Sequence, residues 1–315
     1  MKLLKGICLF LLFVPLLISC SHGTKQEDGE LGFNKQTHEE SLQEKVRKRP
    51  LYLLLVGIDS RGEKQSRSDS MIILQYDGRN NSVKLASLMR DSYVMIPSIP
   101  NGSVQNKLNH AYYLGGEKLL RETVKQNFDI SIDHVVTIDF QGFAKMVDLL
   151  SPEGIEVNVT NEMIDDMGFH LQPGSQYLHG DELLKYVRFR HDGESDFGRV
   201  ARQQEVLVKI KELLVQQLKS TEGILGLPGI VNEGMGYIQS DLTKSQIISL
   251  SAKILLDGID TVDTIRIPVQ ESYTNETYDH AGAVLQLDFE KNVEALASFF
   301  DLEESGKDNT PSNPL

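Results

Sequence analysis

The chain has 315 residues, 40% of them hydrophobic and 24% charged, an ordinary globular balance and long enough for one large domain or two small ones. Its formal net charge of −13 excludes non-specific nucleic-acid binding, which needs a basic footprint. An acidic chain can still hold an anion locally, so the placement of individual arginines says more than the total.

The N-terminus reads as an export signal. Lys2 and Lys5 make a basic start, Gly6 to Ile18 is almost wholly apolar, and Cys20 follows Leu17-Ile18-Ser19. The run falls short of the ~20 residues a membrane span needs, and Pro15 interrupts it. Residues 1–20 are therefore assigned to a signal peptide. The tripeptide before Cys20 looks like a bacterial lipobox, which would lipid-modify Cys20 and anchor the protein by its N-terminus to the outer face of the cell membrane; an ordinary signal is the alternative. Cys8 and Cys20 are the only cysteines, so the mature chain has no internal disulfide and no cysteine-based zinc site. Residues 21–49 are polar and read as a tether, residues 50–302 as one folded domain, and residues 303–315 as a solvated tail.

Within the domain, Leu51 to Ile58 (LYLLLVGI) is a continuous apolar run, the mark of a strand buried on both faces. Ser70 to Tyr76 and Val83 to Met89 read as two further strands, with a turn at Asp77-Gly78-Arg79-Asn80-Asn81 between them. His110 to Asn127 has helical spacing, weakened in its middle by Gly115-Gly116. A strand over His134–Asp139, a helix over Phe140–Leu150, a strand over Ile155–Thr160 and a short helix from Asp181 to Tyr186 follow. Gly198 to Leu218 is the strongest helix, with Val200, Val206, Leu207, Ile210, Leu213 and Leu214 facing a core. Beyond it, Leu218 to Ile238 and Ser245 to Leu256 read as helix and loop. Thr264 to Val269 reads as a last strand and Asp288 to Phe300 as a closing helix. This alternation predicts an α/β fold, a three-layer α-β-α sandwich around a central mixed sheet.

If the first three strands form an antiparallel meander, Asp59, Asp69, Arg90 and Asp91 arrive at one rim, where ligands commonly sit in α/β sheets. Two facing carboxylates repel unless a cation lies between them. Asp59 and Asp69 then suit Mg²⁺, with Mn²⁺ as the substitute; the bland alternative is solvation of a turn. A second constellation runs from Tyr186 to Gln204. An extended chain around Val187–Arg190 would turn Arg188 and Arg190 to one face, and Asp196 stands where a cap would be. Arg199 and Gln203 share a helix face, with Arg202 nearby. Such a cluster with a helix start binds phosphate; the alternative is a surface network with Asp192, Glu194 and Asp196.

The ordered motifs Gly57-Ile-Asp59-Ser-Arg61, Arg67-Ser-Asp69-Ser-Met71, Ser87-Leu-Met-Arg90-Asp91-Ser-Tyr93, Lys107-Leu-Asn109-His-Ala111-Tyr112, Tyr186-Val-Arg-Phe-Arg190 and Asp196-Phe-Gly-Arg199-Val-Ala-Arg-Gln203-Gln204 together resemble the LytR-CpsA-Psr family. The resemblance implies a deep apolar pocket for a polyprenyl chain. It also implies pyrophosphate contacts from Arg90, Arg188, Arg190, Arg199, Arg202 and Gln203, and a metal held by Asp59 and Asp69. The implied reaction moves an anionic glycopolymer (teichoic acid, teichuronic acid or capsule) from a polyprenyl-pyrophosphate carrier to a peptidoglycan hydroxyl, that of C6 of N-acetylmuramic acid. Arg90, Arg188, Arg190 and Arg199 would serve that transfer; Asp91, by its place beside Arg90, is the candidate base for the hydroxyl. A hydrolase acting on the same lipid, or a non-catalytic glycolipid-binding lipoprotein, would need the same charges.

Overall fold

The computed structural model describes residues 42–59, 66, 68–99, 102–191, 193, 195–217, 229, 232–259 and 261–302. The expected signal peptide with Cys20, residues 21–41 of the tether, Arg61, Arg67 and residues 303–315 of the tail lie outside them, as does most of the 218–238 segment. In chain order run α1 (Leu42–Lys48), β1 (Leu51–Ile58), β2 (Ser68–Asp77), β3 (Ser82–Leu88), β4 (Ser92–Ile99), β5 (Gly102–Lys107), α2 (Leu108–Phe128) and β6 (His134–Asp139). Then come α3 (Phe140–Leu150), β7 (Ile155–Val159), α4 (Asn161–Met167), β8 (Gly174–Leu178), α5 (Gly180–Arg188) and α6 (Ser195–Gln217). The chain closes with β9 (Ile238–Ser240), α7 (Lys244–Asp257), β10 (Thr261–Ile267), β11 (Tyr273–Tyr278), β12 (Gly282–Leu287) and α8 (Phe289–Phe299).

The apolar run of β1 sits inside a six-stranded sheet of order β10-β3-β2-β1-β6-β9. β1, β2 and β3 form the antiparallel meander, β6 joins β1 in parallel, and β10 joins β3 in parallel. The sheet is mixed, as the alternation of elements requires. Successive side chains point to opposite faces. Leu51, Leu53, Ile72, Leu74 and Tyr76 pack one face against Val46 of α1, Val147 of α3, Leu183 of α5, Val206 of α6 and Leu250 of α7. Tyr52, Leu54, Val56, Met71 and Ile73 pack the other against Leu120 and Val124 of α2 and Leu296 of α8. Helices thus cover both faces of the sheet, giving the three layers.

Two departures from the sequence reading stand out. A second sheet of order β11-β12-β4-β5 covers the lower layer through Val94, Ile96, Leu285 and Leu287. The last strand of the main sheet begins at Thr261 rather than Thr264. The helical pattern of α2 is interrupted where Gly115 and Gly116 leave helical dihedrals, Gly116 with φ of 62°, a conformation glycine adopts without steric cost.

The β2–β3 turn is held by Asp77. Its carboxylate accepts from the Arg79 backbone N–H (3.0 Å), from Arg79 Nε (2.9 Å) and Nη2 (2.8 Å), and from Asn80 Nδ2 (3.0 Å). The Arg79 hydrogen bonds hold the Asp77 carboxyl below the usual carboxylate range. Asp77→Ala is expected to cost about 1–2 kcal/mol at neutral pH, since charge-assisted bonds are lost but Arg79 is half exposed. A carboxyl lowered in the fold stabilises above its unfolded value of about 4, and that contribution disappears as pH falls through the folded value. Urea unfolding should therefore separate variant from wild type at pH near 7 and bring them together in strong acid. A difference that persists in acid would mean that the carboxylate's charge is not what holds the turn.

Candidate active site

The main sheet delivers the first set of polar residues to one rim. Asp59 follows β1, Asp69 is the second residue of β2, and Arg90 lies two residues beyond β3. Pairing of Ile58 with Ser68 and of Gly57 with Ser70 sets the two aspartates at neighbouring strand ends. The segment after β3 is fixed on both sides: Met89 N donates to the Ile267 carbonyl (2.9 Å), and the Arg90 carbonyl accepts from Asn109 N (3.2 Å).

The second set comes from the junction of α5 and α6. Here the expected extended stretch is shorter than the spacing suggested. Val187 and Arg188 belong to α5, and the chain becomes extended only at Phe189, its C-cap. Arg188 and Arg190 nonetheless both border the cavity described next. The backbone of Asp196 lies in the first turn of α6, and its side chain is outside the described residues.

Between the sheet and helices α3, α5 and α6 lies a cavity of about 240 Å³. Its walls are mainly apolar: Leu55 and Ile72 from the sheet, Val136 and Ile138 from β6, Phe140 and Phe143 from α3, Leu184 and Val187 from α5, and Val206 and Leu207 from α6. Its polar lining is Asp69, Ser70, Arg90, Asp139, Arg188, Arg190, Arg199 and Gln203. Four arginines from three separate segments thus meet beside an apolar chamber. A concave apolar site with a few convergent polar groups is the usual form of a ligand pocket.

Local contacts hold these side chains in place. Arg90 Nη1 pairs with Asp69 Oδ1, and Arg188 Nη2 lies 3.8 Å from Asp59 Oδ2. The Arg188 guanidinium also stacks over the Phe140 ring at 4.2 Å. Gln203 is fixed at both ends of its amide, accepting from Ser70 Oγ (3.2 Å) and donating to the Val187 carbonyl (3.4 Å). Arg199 is buried, 4% exposed. Beneath them, burial and a 2.7 Å bond to Glu205 raise the Tyr186 hydroxyl above its ordinary range, so it stays a protonated donor.

Three expected site residues stand outside the cavity lining: Asp59 (beside Arg188), Arg202 and Asp91. Arg202 is outside the cavity lining, buried, donating to the Phe189 carbonyl and lying over the Phe189 ring at 5.2 Å. It braces the α5–α6 corner that presents Arg188 and Arg190. Asp91 is also outside the lining; its Oδ1 pairs with Lys107 Nζ at 2.9 Å, and its Oδ2 lies 3.7 Å from Arg90 Nε. Lys107 had only its place in a motif to mark it. Asp59 and Asp69 are hard oxygen donors, each beside an arginine. Among the described residues no group of three or more His, Cys, Asp or Glu could hold a metal, so a cation here would complete its shell with phosphate oxygens and water, as Mg²⁺ commonly does.

The LytR_cpsA_psr family model matches residues 17–296. MsrR of Staphylococcus aureus, named a regulatory protein, is 37% identical over 249 residues, covering 79% of this chain and 74% of MsrR. TagU of Bacillus cereus, named a polyisoprenyl-teichoic acid–peptidoglycan teichoic acid transferase, is 31% identical over 227 residues, 71% of each chain. Among solved structures, TagT with bound octaprenyl pyrophosphate superposes with a TM-score of 0.57 at 26% identity, over 82% of this chain and 92% of TagT. With that match running through nearly the whole described domain, the chain belongs to the LytR-CpsA-Psr family.

Proposed function

We propose that the protein is a phosphotransferase that takes an anionic glycopolymer from a polyprenyl-pyrophosphate carrier and joins it to a peptidoglycan hydroxyl. One observation carries this reading: an apolar chamber of about 240 Å³ whose polar lining is dominated by Arg90, Arg188, Arg190 and Arg199. An isoprenoid pyrophosphate has the matching halves, a hydrocarbon chain and a diphosphate head. The name of TagU and the lipid held by TagT support the same assignment.

In the reaction the acceptor oxygen bonds to the sugar-linked phosphorus as the phosphoanhydride P–O bond breaks. Polyprenyl phosphate leaves with the bonding pair, and the hydroxyl proton passes to solvent. Charge gathers on the phosphoryl oxygens, so positioned guanidinium groups supply most of the stabilisation. Arg90 and Arg188 are steered by Asp69 and Asp59, while Gln203 is tied between β2 and α5. Asp59 and Asp69 would also hold Mg²⁺ (or Mn²⁺) once phosphate oxygens are present; when bound it would neutralise further phosphoryl charge. In this reading the protein works on the outer face of the cell membrane, tethered through its N-terminus at Cys20.

The full chain, lipid-linked glycopolymer, Mg²⁺ and a peptidoglycan oligomer, incubated together, should yield a polymer–peptidoglycan conjugate. Free phosphorylated polymer alone would make the protein a hydrolase, and an unchanged lipid would make it a binding protein. Chelation with EDTA should suppress conjugation, with Mg²⁺ restoring it; full turnover in EDTA would remove the metal from the proposal.

A further inference from the structure

One cation near this site has no role in the transfer described above. Arg266, the penultimate residue of β10, is half-buried, and its guanidinium carbon lies over the Phe197 ring of α6, 4.1 Å from the ring centroid. Phe197 is itself backed by the Tyr273 ring at 5.8 Å. The Arg266 Nε is buried with no hydrogen-bond partner. Among the described residues no carboxylate forms an ion pair with Arg266, unlike Arg79, Arg90, Arg121 and Arg188, which all have one. A desolvated donor on a permanent cation is costly to leave unmatched. The aromatic stack fixes the position of the group without neutralising its charge.

The sheet places this cation beside the rim. Arg266 pairs with Ser87, and Ser87 pairs with Ile72, a wall of the cavity. Two strand spacings, about 10 Å, separate the backbones of Ile72 and Arg266. Toward the rim, Met89 bonds to Ile267, so β10 ends alongside the segment that carries Arg90. Arg266 therefore extends the line of cations one strand beyond Arg90, on the flank of α6 that bears Phe197 rather than the one that bears Arg199 and Gln203. A diphosphate inside the cavity is matched by the lining arginines. A second anion, attached to the same substrate but outside the cavity, is the complement that Arg266 lacks.

We propose that Arg266 forms a second anion subsite that holds a phosphate of the transferred polymer, outside the pyrophosphate cavity, and so favours phosphate-bearing over neutral glycans. The inference rests on the transferase reading and refines its substrate. Phosphate fits a guanidinium held in place by a ring, because two N–H groups of the fork can meet two oxygens.

The test compares three ligands on the full chain in detergent: octaprenyl pyrophosphate, the same lipid carrying a neutral oligosaccharide, and the same lipid carrying that oligosaccharide with one phosphodiester. Arg266→Ala should leave the first two affinities within about 2-fold and weaken the third roughly 10-fold, the scale of one charge-assisted hydrogen bond. Arg266→Gln, which keeps much of the volume against Phe197, should show the same selective loss with an unchanged thermal midpoint. Equal affinity of variant and wild type for the phosphodiester ligand would overturn the subsite. So would a parallel loss for all three ligands, which would make Arg266 a packing residue. A wild-type chain that binds none of the three would overturn the transferase reading and this inference with it. A chain that binds all three without discrimination would overturn the inference alone.

Discussion

Replacing Arg90 with alanine should lower turnover by about 100–1000-fold, the cost of removing one preorganised donor from developing phosphoryl charge. Arg90 is suited to that role because its position is set twice. The backbone before and after it is bonded to β10 and α2, and Asp69 holds one end of the guanidinium. Folding should suffer far less, about 1 kcal/mol, since Arg90 and Asp69 each keep roughly a fifth of their side-chain surface in water (20% and 24%). Arg90→Lys should recover only a small part of the activity, because an ammonium is a point charge without the planar fork that meets two phosphate oxygens. The check is single-turnover transfer with saturating lipid, read beside a thermal melt. A variant that melts like wild type and turns over within a few-fold of it would remove Arg90 from the chemistry.

The second large effect belongs to the greasy half of the site. Leu207 is partly exposed on α6, facing the cavity, so a larger side chain there grows into the void rather than into packed core. Leu207→Trp is expected to displace one isoprene unit of the carrier. At ~0.8 kcal/mol per buried CH₂-sized group, about five carbons amount to ~4 kcal/mol, or roughly 1000-fold in lipid affinity. The effect should depend on chain length: a carrier truncated to one or two isoprene units should bind variant and wild type alike. Uniform weakening for short and long carriers would point to a displaced α6 instead of a filled chamber.

The contrast between these two residues explains how much of the site could be read from the sequence. Arg90, Arg188, Arg190 and Arg199 stand out in the sequence because charge is conspicuous in short motifs, and the structure brings the four to one cavity. Leu207, Ile138 and Phe143 do not, because an apolar residue lining a void has the same side chain as one in solid core. Arg202 misled for a geometric reason. It is three residues beyond Arg199, about 60° around the helix, and the Phe189 carbonyl at the end of α5 captures it. Asp91, the candidate base, lies beside Arg90 as its place in the motif implies, but outside the cavity lining and paired with Lys107.

The fold divides in the same way. β1, β2 and β3 show as apolar runs because the main sheet is covered on both faces. The small sheet buries one face only. Its strands include GSVQNK, exposed or half-exposed throughout, and YTNETY, exposed across its middle. Strands of that kind carry no hydrophobic period to detect. Arg266 carries no signal in the sequence for a related reason: an isolated arginine in TVDTIRI has the pattern of edge solvation, and only the fold brings the Phe197 ring against it.

Binding of octaprenyl pyrophosphate to the full chain, measured by titration beside octaprenol and inorganic pyrophosphate, addresses the union of chamber and arginines most directly. The intact amphiphile should bind at least about 100-fold more tightly than either half, because the two contributions add within one molecule. Inorganic pyrophosphate binding as tightly as the lipid would contradict a functional chamber, and octaprenol binding as tightly as the pyrophosphate would contradict a functional arginine cluster.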